Sequence, residues 1–155
     1  MNNCSIVVLT IGLFSATSSC GSSTSGTANG NTDTSANTNA VTFTKVYSDV
    51  LSGSCTPCHA PGGTGDSAGR LDMSTQAVAY PNLQKSAAGA SCGSSGLTLV
   101  VPGDAAASLL VEKVSSAHPP CGTQMPFGCG GPSPCLAAAQ VQEIVDWVNG
   151  GAQND

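Results

Sequence analysis

Residues 55–59 read CTPCH. Two thiols three positions apart, with an imidazole directly after the second, can serve four kinds of chemistry: covalent haem attachment, dithiol exchange, part of a zinc site, or a local disulfide. With eight Cys and two His in 155 residues, chance would place the pattern in roughly five chains per thousand, so coincidence is a weak account. Haem attachment uses every residue of the motif. Each thiol adds across one vinyl group to give a thioether, the two-residue gap lets both reach the same macrocycle edge, and His59 then offers its imidazole to the iron from the proximal side.

Each competing chemistry leaves a residue or a neighbour unexplained. A thioredoxin-type pair often has Pro where Pro57 stands, but it follows a core strand, and the preceding KVYSDVLSG reads as a helix. A zinc site wants a second ligand cluster, and the later HPPC and the scattered cysteines are poorly spaced for one. A Cys55–Cys58 disulfide would be strained and would leave His59 without a role.

The elements that must position this motif can be read from periodicity. Phe43, Val46, Tyr47, Val50 and Leu51 recur at helical spacing, which predicts a first helix capped by Thr42 or Thr44 and ending near Gly53. It delivers Cys55 to the haem edge. A short helix is expected near Ala77 to Leu83. Another is expected after PGD, with Asp104 as N-cap and Leu109, Leu110 and Val114 facing inward. The last spans about Leu136 to Asn149, with Val141, Ile144, Val145 and Val148 on one face and Gly150 as stop. Trp147 beside that face reads as core packing, with contact to the haem as the alternative. Arg70, the one arginine, lies in a loop region from which it could reach a haem propionate, or it is a solvated surface charge.

Composition limits what else the chain can be. Charged residues make up 8% and aromatics 4%, against 19 Gly and 9 Pro, so large apolar side chains are few and loops are long. Such a thin core calls for a covalent or cofactor staple. The formal net charge is −5, with four basic residues, so no basic patch is available for nucleic-acid phosphates or anionic lipids.

The N-terminus reads as an export signal. An apolar run from Ile6 to Phe14 is too short to span a bilayer and fits the h-region of a signal peptide over residues 1–19. The following TSSC resembles the lipobox of bacterial lipoproteins, which makes Cys20 the lipidated first residue of the mature chain. Two departures stand out: Thr17 occupies a position where Leu is usual, and no Lys or Arg precedes the apolar run. An ordinary cleaved export signal is the alternative. Residues 20–40 read as a lipidated Cys followed, from Gly21 to Ala40, by a flexible tether with no apolar side chain larger than Ala and a typical reach of roughly 25 Å.

Cys4 falls in the signal and Cys20 at its end, leaving Cys55, Cys58, Cys92, Cys121, Cys129 and Cys135. In an exported chain these become disulfides or cofactor attachments. The last four admit three pairings. CGGPSPC is a short stretch of turn formers, which favours Cys129 with Cys135 and leaves Cys92 with Cys121; those bonds would clamp the loop between them from both sides.

The order of motifs resembles single-haem c-type cytochrome domains, in particular the bacterial lipoprotein group related to the planctomycete-type cytochrome c domain. The features that carry it are the helix before CTPCH, then GRLDMST, VVPGDAAASLL, CGTQMPFG and VQEIVDWVNGGA, covering about Thr42 to Ala152. The resemblance implies an all-α, small cytochrome c-like helical haem domain over residues 41–155, with long loops. It implies one covalent haem c held by Cys55, Cys58 and His59. It also implies a second axial iron ligand from a Met followed by Pro, which here is Met125. A thioether is a soft ligand that favours ferrous iron and raises the reduction potential, and a Met in a Pro/Gly loop can approach the haem face opposite His59. Met73 in RLDMST is a competitor that reads better as packing. His118 in AHPPC would give bis-His ligation from what reads as an exposed turn.

Two protein ligands leave the iron no open position, and no nucleophile, base or oxyanion arrangement is visible. The expected function is electron transfer at the cell envelope by a monomeric carrier domain that is not itself an enzyme, bound to the membrane through its lipid anchor only and exchanging electrons with a protein partner. The alternatives are a haem-containing binding or sensory module, and a haem-free, disulfide-rich surface lipoprotein.

Overall fold

A computed structural model describes residues 40–155. The expected signal peptide over 1–19, the Cys20 lipidation site and the tether as far as residue 39 lie outside the described residues. Among the described residues the regular structure is helical and no strand forms; isolated bridges such as Ser86 with Thr98 and Val101 with Asp104 are the only extended pairings.

The first helix, α1, begins as an α-helix at Phe43–Val46, widens into a π-helical turn at Tyr47–Leu51 and closes at Ser52–Ser54. Thr42 is its N-cap, the side-chain oxygen accepting the Lys45 amide at 3.1 Å. The free amide of Phe43 donates to Asp155 Oδ1 at 2.7 Å, and that of Thr44 to the Asp155 carbonyl at 3.2 Å. An acidic side chain at a helix N-terminus both satisfies an orphan donor and complements the dipole. Phe43, Val46, Val50 and Leu51 are fully buried, as their spacing predicted. The π turn was not predicted, because side-chain spacing over one turn does not separate a period of 3.6 from a slightly wider one.

Helix α2, Thr64–Gly69, folds back over the CTPCH turn and ends at Arg70 in the left-handed conformation, φ 51°. Helix α3, Gln76–Leu83, starts from a Thr75 cap whose Oγ1 accepts the Val78 amide, and it buries Ala79 and Leu83. Helix α4 is Leu109–Ser115 and α5 is Ala138–Asn149. The N-cap of α4 is Ser108 and not the expected Asp104. Asp104 Oδ1 instead accepts the Ala107 amide at 2.9 Å, forming a local turn one step upstream; an Asp suits such a turn as readily as a helix cap. Ser108 is fully buried, accepting the Val101 amide at 2.8 Å and donating to the Asp104 carbonyl at 2.7 Å. Leu109, Leu110 and Val114 face inward as expected.

Helices α1 and α4 both pack on α5. Ile144, Trp147 and Val148 of α5 meet Phe43 and Val46 of α1, and the Trp147 and Phe43 ring centroids lie 5.0 Å apart. Trp147 is therefore a core residue, and its indole N–H donates to the Gln153 carbonyl at 2.9 Å. Tyr80 from α3 stands edge-on to Phe43 at 5.2 Å and donates to the Ala152 carbonyl at 3.0 Å. Among the described residues no helix is long and apolar enough to cross a membrane.

Two disulfides staple the long loops, Cys92 to Cys121 with Cα atoms 5.4 Å apart and Cys129 to Cys135 at 4.6 Å. Both pairings are those expected from the short CGGPSPC loop. A disulfide frame is compatible with an extracellular location.

Candidate haem-attachment site

The end of α1 and the CTPCH turn are built from one carbonyl. Leu51 O accepts the amides of both Cys55 and Thr56, each at 2.9 Å, a sharing that the π turn permits. Cys55 O in turn accepts the amides of Cys58 at 3.1 Å and His59 at 2.9 Å, so the five residues form one tight loop. The segment 71–73 closes against it. Thr56 Oγ1 and Tyr47 Oη donate to the Met73 carbonyl at 2.9 and 3.2 Å, and the Met73 amide donates to the His59 carbonyl at 2.6 Å.

His59 is oriented by its Nδ1, which lies 3.1 Å from the Leu71 carbonyl. A carbonyl accepts only, so Nδ1 donates this bond and Nε2 is the ring nitrogen left for another partner; metal-binding histidines are commonly fixed through the second nitrogen in this way. Among the described residues Nε2 has no hydrogen-bond partner. Helix α2 closes on the ring from one side. The Gly65 and Asp66 amides donate to the Cys58 carbonyl at 2.9 and 3.2 Å, and a Cβ on Gly65 would fall 2.8 Å from His59 Cε1 and Nε2 and 2.9 Å from the Cys58 carbonyl oxygen.

That close approach gives a test. In Gly65→Ala the gain in helix propensity, about 1 kcal/mol, is opposed by a Cβ pressed against a backbone oxygen and a tethered imidazole. Overpacking of this kind costs about 1–3 kcal/mol, so the variant is expected to unfold at lower denaturant concentration and to show a displaced His59 resonance. Wild-type stability with an unmoved imidazole would show that α2 does not pack on the ring.

Among the six described cysteines the two of the motif stand apart in being unpaired; Cys55 is half-buried and Cys58 exposed. Burial, with a smaller contribution from Cys58, pushes the Cys55 thiol up to about 11. Cys55 also sits at the C-terminal end of a helix, where the carbonyl ends of the peptide dipoles disfavour a thiolate. Activated redox cysteines sit at helix N-termini with lowered values, so this environment is the reverse of a thioredoxin-type pair. Among the described residues no three His, Cys, Asp or Glu side chains gather into a metal-ion cluster, the motif's own three included. Covalent haem attachment would need two thiols free to form thioethers and one imidazole nitrogen free for iron, and Cys55, Cys58 and His59 Nε2 offer these among the described residues.

The three candidates for the second axial ligand differ in environment. Met73 is 2% exposed and packed in the core. His118 lies on an exposed turn, its amide bonded to Ser116 Oγ at 3.1 Å. Met125 is between these, partly buried with its side chain against the core cluster that Cys55 also touches. Its loop is fixed by more than the two disulfides. The Met125 amide donates to the Lys113 carbonyl at 2.7 Å, and Lys113 Nζ donates to the carbonyls of Cys121 and of Thr123, the latter at 3.1 Å. Partial burial draws the Lys113 ammonium below the ordinary lysine value, while bonds to two carbonyls favour its charged form. Arg70 is exposed and forms no ion pair among the described residues.

Sequence reasoning missed Gly65 and Lys113. Gly65 was one glycine among several in PGGTGDSAGR, and Lys113 was a polar position on a short amphipathic helix; neither carries a signal until the chain is folded. No protein-family model, curated protein or solved structure matches the chain.

Proposed function

We propose that residues 41–155 form a single-haem c-type cytochrome domain that transfers electrons at the cell envelope. Cys55 and Cys58 carry the thioethers, and His59 and Met125 are the axial ligands. The observation that carries the reading is the state of the motif. Four of the six cysteines after the tether pair with one another, and the two left over belong to CTPCH, beside an imidazole whose Nδ1 is committed to Leu71. The bound haem would supply one-electron exchange between ferric and ferrous iron. The chain's own residues hold the imidazole at its angle, keep the attachment loop rigid and present the Met125 loop. With two protein ligands the domain is a carrier and not a catalyst.

On this reading the protein is an exported lipoprotein, anchored through Cys20 and otherwise soluble, with a protein redox partner and no affinity for nucleic acid. The test is an intact mass and an absorption spectrum of the chain matured with a c-type haem attachment system. A mass increased by one haem, a sharp low-spin α band on reduction and the weak ferric band of an iron–thioether bond are expected. A chain carrying no haem under those conditions would reduce the protein to a stapled envelope lipoprotein. A high-spin spectrum would mean an open iron site and a binding or sensory role.

A further inference from the structure

We propose that Lys113 is the positioning residue for the Met125 loop, setting the place of the thioether through three bonds made from one side chain and its own backbone; this rests on the reading of Met125 as axial ligand. Lys113 lies in α4, whose inward residues Leu110, Val111 and Val114 are buried in the core. Its backbone is therefore held by the rigid part of the molecule. Its carbonyl accepts the Met125 amide at 2.7 Å, while its ammonium donates to Cys121 O and to Thr123 O at 3.1 Å. Residues 121, 123 and 125 of the loop are thus bonded to one residue of the helix.

The chain is shaped to let the ammonium in. Gly122, between the two accepting carbonyls, has φ +60°, and a Cβ there would fall 2.7 Å from Lys113 Nζ. The left-handed conformation turns the flanking carbonyls toward the cation, and the missing side chain leaves room for it. No acidic side chain pairs with Lys113 among the described residues, so its charge is committed to the loop. The Cys92–Cys121 bond fixes where this stretch of loop begins, but a disulfide at residue 121 leaves the backbone free to swing by residue 125. Hydrogen bonds to charged donors are the strong class, and here they hold Cys121 itself and Thr123, halfway from the disulfide to Met125.

The experiment uses the full chain matured with haem, as wild type, Lys113→Met and Lys113→Arg, with Lys85→Met as a surface control. Three quantities are read: the ferric iron–thioether band, the reduction potential, and amide exchange at Met125 compared with Ile144. In Lys113→Met the haem is expected to remain attached, the thioether band to weaken and the potential to fall. Met125 exchange should rise by about tenfold or more with Ile144 unchanged. Lys113→Arg should recover part of each, and Lys85→Met should change none. A Lys113→Met protein with wild-type band, potential and Met125 exchange would overturn the proposal. So would equal acceleration at Ile144, which marks general destabilisation, or failure of both Lys113 variants to fold. If wild type lacks the thioether band while Met125 exchange still depends on Lys113, the ligand reading fails and the proposal with it, leaving only a loop clamp.

Discussion

His59→Ala is expected to mature with less than about a tenth of the wild-type haem, and what is attached should lack a low-spin spectrum. Loss of a partner that merely orients a ligating histidine costs about 10–100-fold in metal affinity, and on the proposed reading His59→Ala removes the ligand itself. Cys55 and Cys58 could still form thioethers, but a haem attached through them would lack the one imidazole that the motif offers to its iron. The loss also reaches the fold. The core among the described residues rests on a modest set of large side chains, Trp147, Phe43, Leu51, Met73, Leu83 and Ile144 foremost, and a haem would be the largest apolar body packed against it. His118→Ala is the control. His118 is exposed and its ring has no hydrogen-bond partner among the described residues, so haem content and spectrum should be those of wild type. A low-spin, fully loaded His59→Ala protein would show that CTPCH does not supply the proximal ligand, and a loss in His118→Ala instead would move that role to the HPP turn.

What could be read before the structure was known divides along a physical line. The apolar faces of α1 and α5 and the buried Trp147 follow from side-chain periodicity, which is a property of sequence; which helix packs on which does not. The cysteine pairs followed because CGGPSPC leaves little choice, and excluding CTPCH fixed the remainder. Backbone-mediated features were not legible. The Leu71 carbonyl that orients His59 could belong to any residue type, and the π turn that lets one carbonyl bond both Cys55 and Thr56 leaves no mark on the residues that form it. The start of α4 was misplaced for a related reason. Asp104 has the right side chain for an N-cap, and only the buried bonds of Ser108 to Val101 and Asp104 show that the chain makes a turn first. Lys113 is the clearest case, a cation that reads as solvated until the loop at 121–125 folds onto it.

Met125→Ala separates ligand from scaffold, because the bonds that hold its loop do not involve its side chain. The amide still donates to the Lys113 carbonyl, Lys113 still grips residues 121 and 123, and both disulfides remain. Haem should therefore stay attached through Cys55, Cys58 and His59, while the ferric iron–thioether band disappears. The potential should fall by on the order of a hundred millivolts, a fraction of the roughly 0.8 V over which axial ligands tune haem iron, since a soft thioether stabilises the ferrous state and its loss favours the ferric one. The vacated position should take up added imidazole, which the wild type is expected to exclude. Truncation also removes a partly buried side chain, at a cost of about 2 kcal/mol or more if well packed, so Met125→Leu is needed beside it. Leu restores the packing without the sulfur, and the two variants should then differ in stability but agree in spectrum, potential and imidazole binding. A Met125→Leu protein that kept the thioether band would transfer the ligand role to Met73, whose sulfur would have to leave a core in which it is 2% exposed. That rearrangement would show in the same sample as exchange at the Met73 amide, now closed onto the His59 carbonyl.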